Sequence, residues 1–423
     1  MTTVRLFTRF TAGSIRRVLQ GHPVYWAWLA ALGVLIASGA AAYARQLREG
    51  LVVTAMRDQV SWGFYIGNFT FLVGVAAAAV VLVIPAYVYD WKPIRQIVVY
   101  GELLALSAIV MCLLFVFVDI GRPDRFWHLL PPFGHLNFPT SLLAWDVLVL
   151  NLYFLVNFTV VTHIVYRAFT GRAYLKSLVV PLVLLSIPMA VGIHTVTAFL
   201  FNGLAARPYW NSSILAPQFL ASAFCSGPAI LLIVLQLLRR FTRFEMQDEA
   251  IWKIAELMAY AMFLNLFLHG AEAFKEYYSG TEHLLYTRYW YQGLGQHRTL
   301  VPYAWAAVAL NLASFALFIV PAARRNPVTL NLGCLATYAG VYIEKGMGLI
   351  IPGLTPDPLG DIYEYYPTLV ELRVAAGIFA IGFLVFTLML KVAVPISLGE
   401  FRLEREAGGT ELERLPLQPH AAA

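Results

Sequence analysis

The chain has 423 residues, of which 60% are hydrophobic and 13% charged, and a formal net charge of +6. That composition excludes an ordinary soluble domain and places the chain among polytopic membrane proteins, whose backbone polar groups are satisfied within helices. The basic excess, which in a soluble protein would point to nucleic acid or an acidic partner, matters here through its distribution over the loops; no nucleic acid partner is expected.

Residues 1–21 carry Arg5, Arg9, Arg16 and Arg17 without an acidic residue, and a first apolar stretch follows at about 22–43. Its ending, ASGAAAYA, resembles a signal-peptidase site, but the stretch exceeds the roughly 7–15 residues of a signal core, so a retained helix is expected. Further stretches at about 62–89, 97–119, 140–167, 175–201, 214–238, 250–273, 300–320, 328–351 and 369–394 each suffice for the roughly 20 residues of a crossing. The expectation is an all-α integral membrane protein of ten transmembrane helices. Two four-helix bundles, about 62–201 and 214–351, are flanked by helices one and ten in a membrane domain spanning 22–398. The polar stretch 399–423 is expected to be a loosely ordered tail.

Ten crossings bring both termini to one side, and Lys and Arg outside the apolar cores, those at the segment ends included, number 18 on that side against 9 on the other. The positive-inside rule makes the termini cytoplasmic, in a bacterial inner membrane. The long loops 120–139, 274–299 and 352–368 then lie outside, and they are rich in Trp, Tyr, Pro and His. An interfacial aromatic belt accounts for part of this; an extrinsic partner docked outside would also account for the length of these loops. The interval DIGRPDRFWHLLPPFGHLNFPTSLLAWD, from Asp119 to Asp146, reads as one wall of a site at that surface.

Ionisable groups inside a membrane are costly and usually face a cavity, a partner or a pathway. At 1.5 Å per residue, Asn68, Asp146 and His194 lie roughly 9–10 Å below the outer surface on three different helices. Tyr65 and Trp145 are near the same level, and Asp119 with Arg122 closes it from another helix. Such a set suits a quinone, whose ring carbonyls need hydrogen bonds and whose reduction needs protons. Each polar group could instead satisfy a neighbour, as in a local Asp119–Arg122 salt bridge. Asp146 and His194 are the expected proton-handling pair. Asn68, Tyr65, Asp119, Arg122 and Trp145 are the expected ring contacts. No resident metal is expected.

Paired haem ligation by His194 and His269 is a weaker alternative. Cys112, Cys225 and Cys334 are far apart and form no cluster or haem-attachment motif, so any iron-sulfur centre is expected on another subunit. Glu102, Glu256, Tyr100 and His163 lie toward the inner side, as the start of a proton path or as carboxylates tolerated at helix ends. His269, Glu272, Glu344, Lys345, Glu371 and Arg373 read as an ion-pair network near the outer surface. No nucleotide-binding glycine loop is present in the sequence. A transport or proton-translocating subunit without quinone chemistry, and a structural anchor, remain as alternatives from other classes.

SWGFYIGNFTFLVGVAAAA, DIGRPDRFW, SLLAWD, IHTVTAFL, LAARPYWN and GVYIEKGMGLIIPGLTPDPLG with YYPTLVEL resemble the NrfD/PsrC family of membrane subunits, over about residues 55–395. The length is similar to its ten-helix branch, that of DsrP and HybB. The resemblance implies exchange of electrons between a quinone, menaquinone or ubiquinone, and an extrinsic periplasmic ferredoxin-like iron-sulfur subunit, with no haem or cluster of the chain's own. It also implies further membrane and cytochrome subunits, as in a DsrMKJOP-like complex. Position by position, it points to Asn68, Asp119, Arg122, Asp146 and His194; some members have His on the segment where Asn68 stands.

Overall fold

A computed structural model describes residues 3–89, 91–130 and 133–403. Its main elements are helices: α1 (Thr3–Val18), α2 (Pro23–Glu49), α3 (Phe64–Ala76), α4 (Val98–Asp119), α5 (Leu142–Phe169), α6 (Lys176–Asn202), α7 (Leu215–Phe241), α8 (Asp248–Ser279), α9 (His283–Tyr291), α10 (Val301–Ile319), α11 (Pro327–Lys345), α12 (Met347–Leu354) and α13 (Leu369–Ser397). Local chemistry sets several boundaries. His22 caps α2 ahead of Pro23, Asn326 caps α11 ahead of Pro327, and Thr368 with Glu371 forms a capping box on α13.

Among the described residues, eight helices are long and apolar enough to cross a membrane: α2, α4, α5, α6, α7, α8, α10 and α13. The two other expected crossings are interrupted. The stretch at 62–89 forms α3, a short helix at Ala78–Val83 and a π-turn at Ile84–Val88 containing Pro85. Proline has no N–H to donate and crowds the preceding turn, so a regular helix does not run through it. The stretch at 328–351 breaks at Gly346, whose ψ of −105° ends α11 before α12 begins.

Burial sorts the helices. The apolar window of α4 is 72% buried and that of α2 only 17%, so α4 is central and α2 peripheral. Every residue of α3 from Tyr65 to Ala76 is buried. A helix apolar all round belongs in the middle of a bundle. There α3 packs on α4 and α7, α5 packs on α6, and α7 packs on α8 and α11, with α10 against α11. Outside them α2 lies along α13, so close that a Cβ on Gly39 would stand 2.8 Å from the Gly377 Cα. Small residues permit that approach of two backbones.

Both ends of the described chain meet at one face. Phe10 of α1 packs on Tyr166 and Phe169 at the end of α5, and Phe401 packs on Phe169 with its ring under the Arg17 guanidinium. The Leu403 amide donates to the Phe169 carbonyl at 3.0 Å. The expected loose tail therefore begins with a docked segment, because Phe401 has an aromatic seat; residues 404–423 lie outside the described residues.

Candidate functional site

The Ser141 hydroxyl accepts from the Ala144 amide at 3.3 Å and fixes the first turn of α5. Adjacent helical residues point about 100° apart, so Trp145 and Asp146 part company. The Trp145 indole N–H donates to the Pro139 carbonyl at 2.8 Å and its ring lies 4.5 Å from Phe138, on the half-exposed side. Asp146 turns inward, 2% exposed, and its Oδ1 accepts from the Thr197 hydroxyl on α6 at 2.7 Å.

His194 lies one turn before Thr197 on the same helix. Its Nδ1 is 2.7 Å from the Ala190 carbonyl. A carbonyl only accepts, so Nδ1 carries the hydrogen and Nε2 of the neutral ring is the acceptor. That Nε2 is buried and has no partner among the described residues. The expected proton-handling pair, Asp146 and His194, do not bond each other: Thr197 holds the carboxylate and Ala190 holds the ring. The free nitrogen can receive a hydrogen from a quinol hydroxyl; a neutral His194 has no N–H left for a quinone carbonyl.

The opposite wall adds Tyr342 and Lys345, two side chains of α11 that sequence reasoning did not place here. Asn68 on α3 donates to the Phe64 carbonyl at 2.7 Å, and its Oδ1 accepts from the Tyr342 hydroxyl at 2.8 Å. One turn on, Lys345 is 4% exposed; its Nζ donates to the Phe219 carbonyl at 3.0 Å and stands 4.3 Å from the centre of that ring. Gly74 leaves room for it, since a Cβ there would lie 3.3 Å from Nζ and from the Ser226 hydroxyl. Lys345 is within electrostatic reach of His194 and Cys112, and Cys112 within reach of Asp146. The break at Gly346 releases Lys345 from a regular helix end and seats it among α3, α6 and α7.

Above this cluster, on the face away from the chain ends, opens a cleft of about 440 Å³ lined by Ser61, Trp62, Leu204, Arg207 and Leu354. Trp62 packs edge-on against Phe201 at 5.5 Å, and Phe201 lies 6.2 Å from Phe219, the ring that carries Lys345. Phe201 is one turn beyond Thr197. A continuous aromatic wall thus runs from the cleft to the buried polar groups.

The other expected residues have different partners. Tyr65 donates to Gln46 Oε1 at 2.8 Å, and Gln46 donates to the Val118 carbonyl at 2.7 Å, tying α2, α3 and α4 together. Asp119 ends α4 with Oδ1 buried and unpartnered among the described residues, within electrostatic reach of Glu371 and Tyr65. Arg122 is not its partner. The guanidinium is exposed and binds Asp124 through two hydrogen bonds of 2.9 and 2.8 Å, and holds that carboxyl down to about 2. The i+2 carboxylate is nearer to a solvent-facing arginine than one at a buried helix end.

The expected outer ion-pair network divides as well. Glu344 accepts from Asn265 at 3.1 Å and Asn311 at 2.7 Å and faces His269 Nε2 at 3.0 Å, whereas its neighbour Lys345 points the other way. His269 is therefore held at Nε2 by Glu344 and at Nδ1 by the Asn265 carbonyl. Gln218 donates to Glu272 at 2.6 Å, Glu371 caps α13 and accepts from the Ala55 amide, and Arg373 binds Ser38. Of the groups expected on the inner side, Glu102 is buried with Oε2 unpartnered among the described residues, while Glu256 is held by Tyr260, Lys253 and Arg324, and His163 accepts from the Leu175 amide.

The profile described as "Polysulphide reductase, NrfD" matches residues 52–356. A provisionally named dimethyl sulfoxide reductase membrane subunit of Halobacterium salinarum is 27% identical over 403 residues, spanning 85% of this chain and 88% of that one. A selenate reductase subunit of Mesobacillus selenatarsenatis is 24% identical, over 83% and 89% of the two chains. The Hdr-like menaquinol oxidoreductase integral membrane subunit of Archaeoglobus fulgidus is 22% identical, over 88% and 94%.

Proposed function

The chain belongs to the NrfD polysulphide reductase family, and on that premise we propose that its buried His194–Thr197–Asp146 cluster is where a quinol meets the protein. It is a multi-pass membrane subunit of a redox complex that exchanges electrons with the quinone pool. The observation that carries the site is the buried, unpartnered Nε2 of His194 at the end of an aromatic wall leading in from an open cleft. A quinol entering along Trp62 and Phe201 would donate one hydroxyl to Nε2. Asp146, positioned by Thr197, would take the proton onward, and Lys345 would face the negative charge that deprotonation leaves on the ring.

The finer reading is a ten-crossing chain with its interrupted segments at about 62–89 and 328–351 also spanning. These would complete two four-helix units, and both termini would be cytoplasmic by the basic-residue count. The cleft face is then periplasmic. Its long aromatic loops suit an extrinsic iron-sulfur subunit that exchanges electrons with the quinol, within an assembly of the DsrMKJOP kind.

The test uses the purified complex with its partner subunits. In a His194→Phe variant, quinone extracted per complex and oxidation of a soluble quinol analogue should both fall, while dye-linked oxidation of the extrinsic subunit persists. Unchanged quinone content and turnover would remove His194 from the site.

A further inference from the structure

On the face that carries the chain ends, a second cleft of about 380 Å³ lies between the end of α7, the start of α8 and the start of α11. Its lining includes Arg239, Arg240, Asp248, Trp252 and Arg325. Arg239 is spent on the Asp248 carboxylate. The guanidinium of Arg325 lies 5.2 Å from the centre of the Trp252 ring, and neither it nor Arg240 has a carboxylate partner among the described residues. The nearby carboxylate of Glu256 is held by Arg324 and Lys253. A guanidinium laid on an aromatic face keeps its N–H edge available for an anion. Gln236 in the lining and Asn331 bond each other at 2.8 and 2.9 Å, so the one carboxylate in the lining is Asp248, already paired with Arg239.

The rim decides what kind of anion fits. Leu237 and Phe241 on α7 and Val328 and Leu332 on α11, the two helices that line the cleft, are exposed apolar side chains one or two residues from its lining. Free phosphate gains nothing from such a rim, whereas acyl chains lie along it. We propose that this cleft seats the phosphate of an anionic phospholipid, with Arg240 and Arg325 on the headgroup and the chains running past Phe241 and Leu332. Basic pockets between helices on the inner side of a membrane recognise such headgroups. The lipid would clamp α7 to α11, the helix that delivers Lys345 at its other end, without touching the cleft used by quinol.

The experiment is native mass spectrometry of the full-length protein released from detergent, with cardiolipin or phosphatidylethanolamine added in equal amounts. The wild-type chain should retain cardiolipin preferentially. An Arg240→Gln/Arg325→Gln variant should lose that preference by about 30-fold, two surface charges' worth. An Arg172→Gln/Lys176→Gln control, on another loop of the same face, should keep it. Equal loss in the control would reduce the effect to diffuse charge and overturn the site. So would undiminished preference in the double variant, or full displacement of the lipid by millimolar inorganic phosphate. Size-exclusion elution of each variant separates lipid loss from misfolding, and Arg325→Lys, which keeps the charge but not the flat stack, should show a partial loss.

Discussion

The hydrogen bond from Thr197 to Asp146 offers the sharpest perturbation, because Thr197→Val keeps the shape of a fully buried side chain and removes one hydroxyl. The structure shows no other side chain bonded to Asp146 Oδ1 among the described residues, so the variant leaves that oxygen without a donor. Hydrogen bonds to charged groups contribute about 1.5–3 kcal/mol. If that bond positions the carboxylate for proton transfer, quinol-linked turnover should fall by about 10- to 150-fold. KM for the quinol analogue should change little, since the headgroup contact is made by His194. Turnover of the assembled complex is measured for Thr197→Val, Asp146→Asn and the double variant. Asp146→Asn alone should be at least as slow, and the double variant no slower than Asp146→Asn, because the hydroxyl acts only through the carboxylate. Additive losses, or wild-type turnover in Thr197→Val, would refute the positioning role.

Lys345→Met preserves length and apolar packing but removes the buried cation and its bond to the Phe219 carbonyl; turnover should drop about tenfold or more if the cation faces a developing quinol anion, and unchanged steady-state rates would make Lys345 a packing residue. At an exposed position, Arg122 lowers the Asp124 carboxyl to about 2. A depressed carboxylate contributes above its ordinary value of about 3.9 and loses that contribution only as pH falls toward 2. The pair therefore titrates outside the working range. Arg122→Gln should leave the turnover profile between about pH 5 and 8 unchanged, and an altered profile would return Arg122 to the site.

Composition and pattern were enough for the membrane class, because helices of apolar residues are what a bilayer permits. They also gave the boundaries of α5, α6 and α7 closely, since Pro, Gly and charge punctuate those stretches. The segments at 62–89 and 328–351 were harder: hydropathy averages over Pro85 and Gly346, and does not register that the backbone stops being regular there. Asp146, His194 and Asn68, all three buried, were legible as polar groups within apolar stretches. Their partners were not, because spacing along one helix says nothing about which neighbour faces it.

That limit explains the reassignments. Trp145 and Asp146 are adjacent in sequence and opposed in space, and Glu344 and Lys345 likewise serve different neighbours. Arg122 found Asp124 rather than Asp119 because one carboxylate is at the surface and the other at a buried helix end. The sequence alone determined that this chain is helical and membrane-embedded, through local and additive properties of its residues. Only the tertiary structure decided which nitrogen of His194 is free, that Thr197 holds Asp146, and that a broken helix brings Lys345 to the same place. Those depend on contacts between residues as much as 274 positions apart, as between Asn68 and Tyr342, and a hydrogen bond across helices has no signature in either segment by itself.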